Sequence, residues 1–299
     1  MTRRDPVKTP NGDDNYITHV RRLYLAYDSG ERFYAFGIGS GYHADGTPYA
    51  GNKEQVEKEM TREGATGDSM DARVNFMIGK LEQQLGSGDN IVDLIGFSRG
   101  SASALVFLNR IQDQVDAGNP LYKGIRMRFV GLFDTVSAVD TPALYKSKDI
   151  SSGVAANFRF SLPSKMKFEN DPLHMIALDE QRVNFQVTDL QGALQIGFRG
   201  VHAENGGWYP KNQFAWIPLR VMEKRAEAAG IQFQAGALDR LITRAPFDPN
   251  AQAQDPDEWF YDEEQRIMPK GMLLHPSVRW YKSKTENKVK GFKYLQGIY

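Results

Sequence analysis

Two hydrophobic periods alternate along the chain and mark out its elements. Asp71 to Leu85 sets Val74, Met77, Ile78, Leu81 and Leu85 on one face, the spacing of an amphipathic helix. A polar turn, Gly86 to Asn90, then leads into the apolar run Ile91-Val-Asp-Leu-Ile-Gly-Phe97, which reads as a strand. Ser101 to Val115 is predicted as a helix, and Gly118-Asn119-Pro120 as a turn. Arg128 to Phe133 is predicted as a buried strand ending at Asp134. Leu194 to Val201 reads as another strand, ending at His202, and Leu219 to Ala229 as a helix closed by Gly230. Upstream, Ile17 to Tyr27 has helical spacing at Val20, Leu23 and Leu25, with strand-like Arg32 to Phe36 behind it and a glycine-rich stretch from Gly37 to Gly51. This rhythm of strand, helix and strand predicts an α/β fold, a mostly parallel sheet with helices on both faces.

Beyond Gly230 the periodicity fades and Pro246, Pro249, Pro256, Pro269 and Pro276 punctuate the chain. The expected organisation is a single α/β domain over residues 1–299, with residues 231–299 an irregular or helical elaboration packed on it. No internal repeat or low-complexity linker interrupts it. Composition narrows the function classes. Lys plus Arg and Asp plus Glu number 37 each, so no global field recruits nucleic acid or an anionic membrane. With no cysteine, disulfides, thiolate nucleophiles and cysteine metal sites are excluded. Met1-Thr-Arg-Arg-Asp lacks the apolar core of a signal peptide and no run is long enough to cross a bilayer, so a cytoplasmic protein without a transmembrane segment is expected.

The chemistry concentrates at Gly96-Phe97-Ser98-Arg99-Gly100, a Gly-x-Ser-x-Gly pattern between an apolar strand and a predicted helix. A sharp turn from strand to helix holds a serine in strained backbone geometry, and small residues at Gly96, Gly100 and Ala102 are expected to make room for it. Ser98 is therefore a candidate nucleophile. The Arg99 backbone N–H, at the positive end of the helix, is a candidate donor to an oxyanion, and Gly39, in Gly37-Ile-Gly-Ser-Gly41, is a second. In an open α/β sheet the reactive groups gather beyond the carboxyl ends of the strands. Ser98, Asp134 and His202 each follow a strand end, and their order is that of α/β-hydrolases. In this reading His202 is the general base and acid and Asp134 orients it; the alternative for Asp134 is a turn or cap acid before Thr135.

His19 falls in a predicted surface helix, His43 in the glycine-rich loop, and His275 in Leu273-Leu-His-Pro-Ser277, late in the chain where hydrolases often carry their base. His275 is the alternative base. Asn11 to Asn15 resembles a calcium loop without its closing glutamate and reads as a turn, so no metal is expected. Neither is a cofactor, since a serine, a histidine and a carboxylate supply nucleophile and base between them. Trp208-Tyr-Pro210 and Phe214-Ala-Trp-Ile-Pro218 form an aromatic patch that either lines an acyl pocket or packs on the sheet.

With these residues placed, the chain resembles the DUF2235 α/β-hydrolase domain family, which includes the first class of type VI secretion phospholipase effectors. The resemblance runs from about residue 10 to residue 230. It is carried by Thr18 to Tyr24, Gly37 to Gly41, Gly96 to Gly100, Gly131 to Val136, His174 with Leu178 to Arg182, and Gly200 to Glu204. It implies hydrolysis of acyl esters of membrane phospholipids by an antibacterial toxin, delivered to the periplasm of a target cell. It also implies a secretion-apparatus partner and an immunity protein in the producer. Asp179 is a supporting or alternative acid, and Glu204 stands where the family has aspartate, with a reach one methylene longer. The family's opening strand and its Phe-Asp-Gly-Thr turn have no counterpart here, where Met1-Thr-Arg-Arg stands. An exposed sheet edge is therefore expected, with a partner chain as one way of completing it. A catalytically inactive domain that serves as a binding module is the alternative function.

Overall fold

The computed structural model describes residues 17–66, 69–137, 158–182, 185–207, 213–241, 248, 250–251, 253, 266–281 and 289–296. Its centre is a six-stranded sheet, β1 (Ile91–Phe97), β2 (Arg126–Phe133), β3 (Leu173–Ala177), β4 (Leu194–Phe198), β5 (Leu273–Leu274) and β6 (Lys293–Tyr294), ordered as in the sequence and parallel throughout. The register pairs Phe97 with Phe133, Phe133 with Met175 and Ala177 with Phe198, so the carboxyl ends of four strands lie side by side. The residues that follow them are thereby delivered to one rim.

Both faces are covered. On one, α3 (Met70–Gly86) and α4 (Arg99–Asp116) bury Val74, Leu81, Leu105, Leu108 and Ile111 against Met127, Val130 and Leu132 of β2. On the other, α1 (His19–Ala26) and α6 (Gln213–Ala228) pack Leu23, Leu219 and Met222 against Phe129, Phe133, Met175 and Ile196. Each such side chain contributes roughly 1.5–3 kcal/mol when fully buried. The expected helices on both faces of a parallel sheet are present. Gly131 makes close packing of α6 possible, because a Cβ there would lie 2.4 Å from the sulfur of Met222.

Several elements differ from the sequence expectation. Arg32 to Phe36 belongs to no strand. The glycine-rich stretch leads into a helix that periodicity did not flag, α2 (Lys53–Thr66), and the short buried strand β3 was likewise missed. Helix α6 begins before Leu219 and carries Pro218 inside its second turn, where the ring removes one i→i−4 hydrogen bond. Phe214 of the aromatic patch is buried against Tyr281, ring centroids 4.6 Å apart, which is packing. Trp208 to Pro210 and Asn11 to Asn15 lie outside the described residues. Strands β5 and β6, from residues 231–299, extend the sheet itself.

Among the described residues β1 pairs with β2 alone, and no strand lies on its other edge. A cavity of about 230 Å³ runs along that edge, lined by Tyr24, Tyr27, Phe33, Tyr34, Asp93 and Ile95 among others. Behind it, Arg73 ties the loop before α2 to α3. Its guanidinium donates to the carbonyls of Phe36, Gly37 and Tyr42 at 2.8, 3.1 and 2.9 Å and pairs with buried Glu63 at 3.3 Å. No described helix is long and apolar enough to cross a membrane.

Candidate active site

The turn from β1 to α4 places Ser98 at φ 57° and ψ −127°, a conformation that costs a non-glycine residue about 1–3 kcal/mol. Gly96 is what permits the turn, since a Cβ there would lie 2.7 Å from the Cα of Ser101. Gly100, by contrast, faces open space, which corrects the expectation that both glycines are sterically required. Hydrogen bonds from Ser98 N–H to Phe133 O (3.0 Å) and from Asp134 N–H to Met175 O (2.7 Å) carry the ladder past the strand ends. Asp134 has a positive φ too, 41°; it and Ser98 are the only non-glycine residues of this kind among the described residues.

His202 opens the short helix α5 (His202–Asn205) and lies between Ser98 and Asp134. Its Nε2 is 2.8 Å from Ser98 Oγ and its Nδ1 is 2.6 Å from Asp134 Oδ2. An ionised carboxylate beside Nδ1 places the proton there, leaving Nε2 to accept from the hydroxyl. The imidazole is held between Phe97, whose centroid is 4.6 Å away, and Phe185, at 4.8 Å. Gly206 gives Phe97 its space: a Cβ would come within 2.1 Å of that ring. Burial pushes the His202 pKa below the ordinary histidine value, against the opposing pull of Asp134. The ring is thus a free base at neutral pH.

The turn that carries His202 is fastened from several sides. Glu180 Oε2 accepts from His202 N–H at 3.1 Å, and Arg182 pairs with Glu180. Asp179 accepts from Gly200 N–H at 2.8 Å and pairs with Arg199 at 3.1 Å. Glu204 turns back to the Val201 N–H at 2.7 Å. Asp179 and Glu204 therefore shape the backbone before His202, while its imidazole meets Asp134. On α1, His19 is buried, correcting its reading as a surface residue: its Nε2 donates to Ala215 O at 2.6 Å, and its N–H donates to Gly206 O at 2.8 Å. Arg22 Nη1 reaches Gly207 O at 2.8 Å.

His174 lies under the Asp134 turn, its Nε2 accepting from Thr135 N–H at 3.0 Å and its Nδ1 donating to Gln195 Oε1 at 3.1 Å. Burial lowers its pKa to about 4. His275 is engaged elsewhere, bonded to Ser277 Oγ at 2.7 Å and stacked on Phe198 at 5.0 Å. Ser98 Oγ is met by His202. The Gly39 N–H donates to Glu63 Oε2 at 3.1 Å, which commits that amide. No described cluster of His, Asp and Glu could hold a metal ion.

One residue at the site has no forerunner in the sequence reading. Arg266 sits in a proline-punctuated region without periodicity, yet its guanidinium meets both oxygens of Asp134, at 2.9 and 2.8 Å, and donates to Ala177 O at 2.7 Å. Burial alone would raise the Asp134 carboxyl; the Arg266 charge and the His202 bond hold it well below the usual carboxylate range.

Comparison with the curated proteins finds no match. Among solved structures, the chain is similar to the Tle1 effector bound to the VgrG spike of the type VI secretion system. Identity is 21% and the TM-score 0.40, over 65% of this chain and 41% of that one. It is also similar to an uncharacterized protein from Pseudomonas aeruginosa, at 20% identity and TM-score 0.39, over 67% of this chain and 32% of that one. The chain thus spans about two fifths or less of the length of either. Residues 108–225, which include Asp134 and His202 and begin after Ser98, match the model of the type VI secretion phospholipase effector Tle1-like catalytic domain.

Proposed function

We propose that this chain is a serine hydrolase that cleaves acyl esters of membrane phospholipids and acts as an antibacterial type VI secretion effector. The observation that carries the chemistry is His202, within hydrogen-bond reach of Ser98 on one nitrogen and of Asp134 on the other. The family match within residues 108–225 supports the substrate class. In the reaction, Ser98 Oγ attacks the acyl carbonyl carbon while its proton passes to His202 Nε2. Asp134 stabilises the imidazolium through Nδ1–H. The carbonyl oxygen becomes an oxyanion, facing the Arg99 N–H and the positive end of α4. Collapse breaks the ester bond, and His202 hands its proton to the departing lysophospholipid oxygen. Water, deprotonated by the same imidazole, then frees the fatty acid and restores Ser98. A secretion-apparatus partner, as in the Tle1 structure bound to VgrG, and an immunity protein belong to this proposal.

Hydrolysis of mixed phospholipid vesicles by the purified chain tests it. Ser98→Ala and His202→Ala are expected to lower the rate at least about a thousandfold, whereas His275→Ala retains activity. Equal rates in the parent and Ser98→Ala would sink the enzyme reading. The β1 edge, unpaired among the described residues, favours a second reading, a binding module whose immunity or delivery partner completes the sheet. That reading stands if the chain binds such a partner and no fluorophosphonate labels Ser98.

A further inference from the structure

We propose that Arg266 is the positioning residue of the Ser98–His202–Asp134 site, fixing the plane of the Asp134 carboxylate and setting the proton affinity of the Asp134–His202 pair. The inference rests on reading these three residues as a catalytic triad. A carboxylate next to a histidine has two effects that conflict: it orients the ring, yet its charge favours the imidazolium and so keeps the ring protonated up to a higher pH. Here Asp134 accepts from four donors, His202 Nδ1, Ala177 N–H at 2.9 Å and both terminal nitrogens of Arg266. The planar fork of a guanidinium matches a carboxylate in two parallel bonds, which removes the freedom of the carboxyl group to turn. Its third contact, to Ala177 O, locks the fork to the end of β3.

The Arg266 side chain is 1% exposed and that of Asp134 is fully buried, so solvent does little to screen the pair. The charge of Arg266 compensates Asp134, and less negative potential reaches His202. The other ionisable groups around the histidine do not substitute for it. Glu180, after β3, is paired with Arg182 and still adds negative charge near His202, the opposite of what Arg266 supplies. Asp179 is paired with Arg199, and Glu204 on α5 is turned to Val201 N–H. His19 and Arg22 of α1 contact the backbone of Gly206 and Gly207, and His174 of β3 is bonded to Thr135 and Gln195. Arg266 thus lets the carboxylate orient His202 while leaving Nε2 unprotonated at lower pH than the His202–Asp134 pair alone would.

The test is the rate of Ser98 labelling by a fluorophosphonate between pH 4.5 and 9, on the full chain. Arg266→Gln is expected to move the acid limb of that profile up by about one unit or more and to slow labelling at pH 6. Arg266→Lys retains the charge without the fork, so its acid limb stays near the parent's while the plateau rate falls several-fold. An unmoved acid limb in Arg266→Gln overturns the proposal, as does an Arg266→Lys chain with the parent's plateau. If Arg266→Gln does not fold, the Lys variant decides alone. Imidazole NMR, with the His202 signal assigned by its loss in His202→Gln, separates this inference from the triad reading. Should the parent never label, the reading of Ser98 fails, while a His202 titration that rises in Arg266→Gln still upholds the control exerted by Arg266.

Discussion

Two glycines of the site have different jobs, and a single methyl group tells them apart. A Cβ at Gly206 would enter the ring of Phe97, and the backbone there has an ordinary φ of −84°, so alanine acts only by displacing that ring. Gly206→Ala is expected to cost about 1–3 kcal/mol of stability and, because Phe97 stacks on His202, to slow fluorophosphonate labelling at least tenfold. At Gly100, in the first turn of α4, a Cβ meets nothing within 4 Å. Gly100→Ala should raise stability by about 0.5–1 kcal/mol through helix propensity, read as the urea midpoint. A destabilised Gly100→Ala would show that the second glycine of the motif is a packing residue after all. The motif made Ser98 legible, because a strand, a Gly-x-Ser-x-Gly turn and a helix follow one another locally. It did not tell which glycine is crowded, since Phe97 meets Gly206 across more than a hundred residues. Arg266 was illegible for the same reason: its partner Asp134 is brought to it by the sheet and by no local pattern.

At the scale of elements, the long amphipathic stretches were read correctly and the short buried ones were not. Helix α3 presents its apolar residues at helical spacing, and the sequence shows this directly. Strand β3 is five residues, all buried, and such a run has no period to detect. Helix α2 is polar apart from Val56, Met60 and Ala65, too few apolar positions for a hydrophobic stripe, so its helix-forming residues and not its periodicity are what mark it. What holds the preceding loop to the body is Arg73, with the carbonyls of Phe36, Gly37, Tyr42 and Ser69, Glu63 and the Tyr49 hydroxyl around it. Arg73→Met leaves Glu63 buried without that compensating charge, a loss on the order of 3–5 kcal/mol. Hydrogen exchange should locate it: amides from Gly39 to Tyr49 are expected to exchange at least tenfold faster, while those of β2 and β3 change far less. Uniform acceleration over the whole sheet would mean that Arg73 stabilises the molecule globally.

For the whole molecule, the balance of charges leaves pH dependence to buried groups. His174 has its pKa lowered to about 4 by burial, and His19, His202 and His275 are shifted in the same direction. A histidine whose folded pKa lies below its unfolded value of 6.5 binds protons more readily when unfolded. Its contribution is fully present above pH 6.5 and is lost as the pH falls towards 4. From His174 alone, about 2 kcal/mol is expected to disappear between pH 7.5 and pH 5. Urea unfolding at the two values checks this, and His174→Gln should show the smaller difference. Equal stability at pH 7.5 and 5 in the parent would contradict the burial of an uncharged imidazole.

The sequence by itself determined the period of each long element, the alternation that makes a parallel sheet, and three reactive residue types each just past a predicted strand end. Those features are encoded over stretches of five to fifteen residues, where side-chain periodicity and turn chemistry act. The tertiary structure alone decided that His202 and not His275 faces Ser98, that Asp179 and Glu204 hold backbone while Asp134 meets the imidazole, and that Arg266 grips Asp134. Each of these depends on which strand lies beside which and in what register. That arrangement is set by burying both faces of the sheet at once, a condition that no local segment contains.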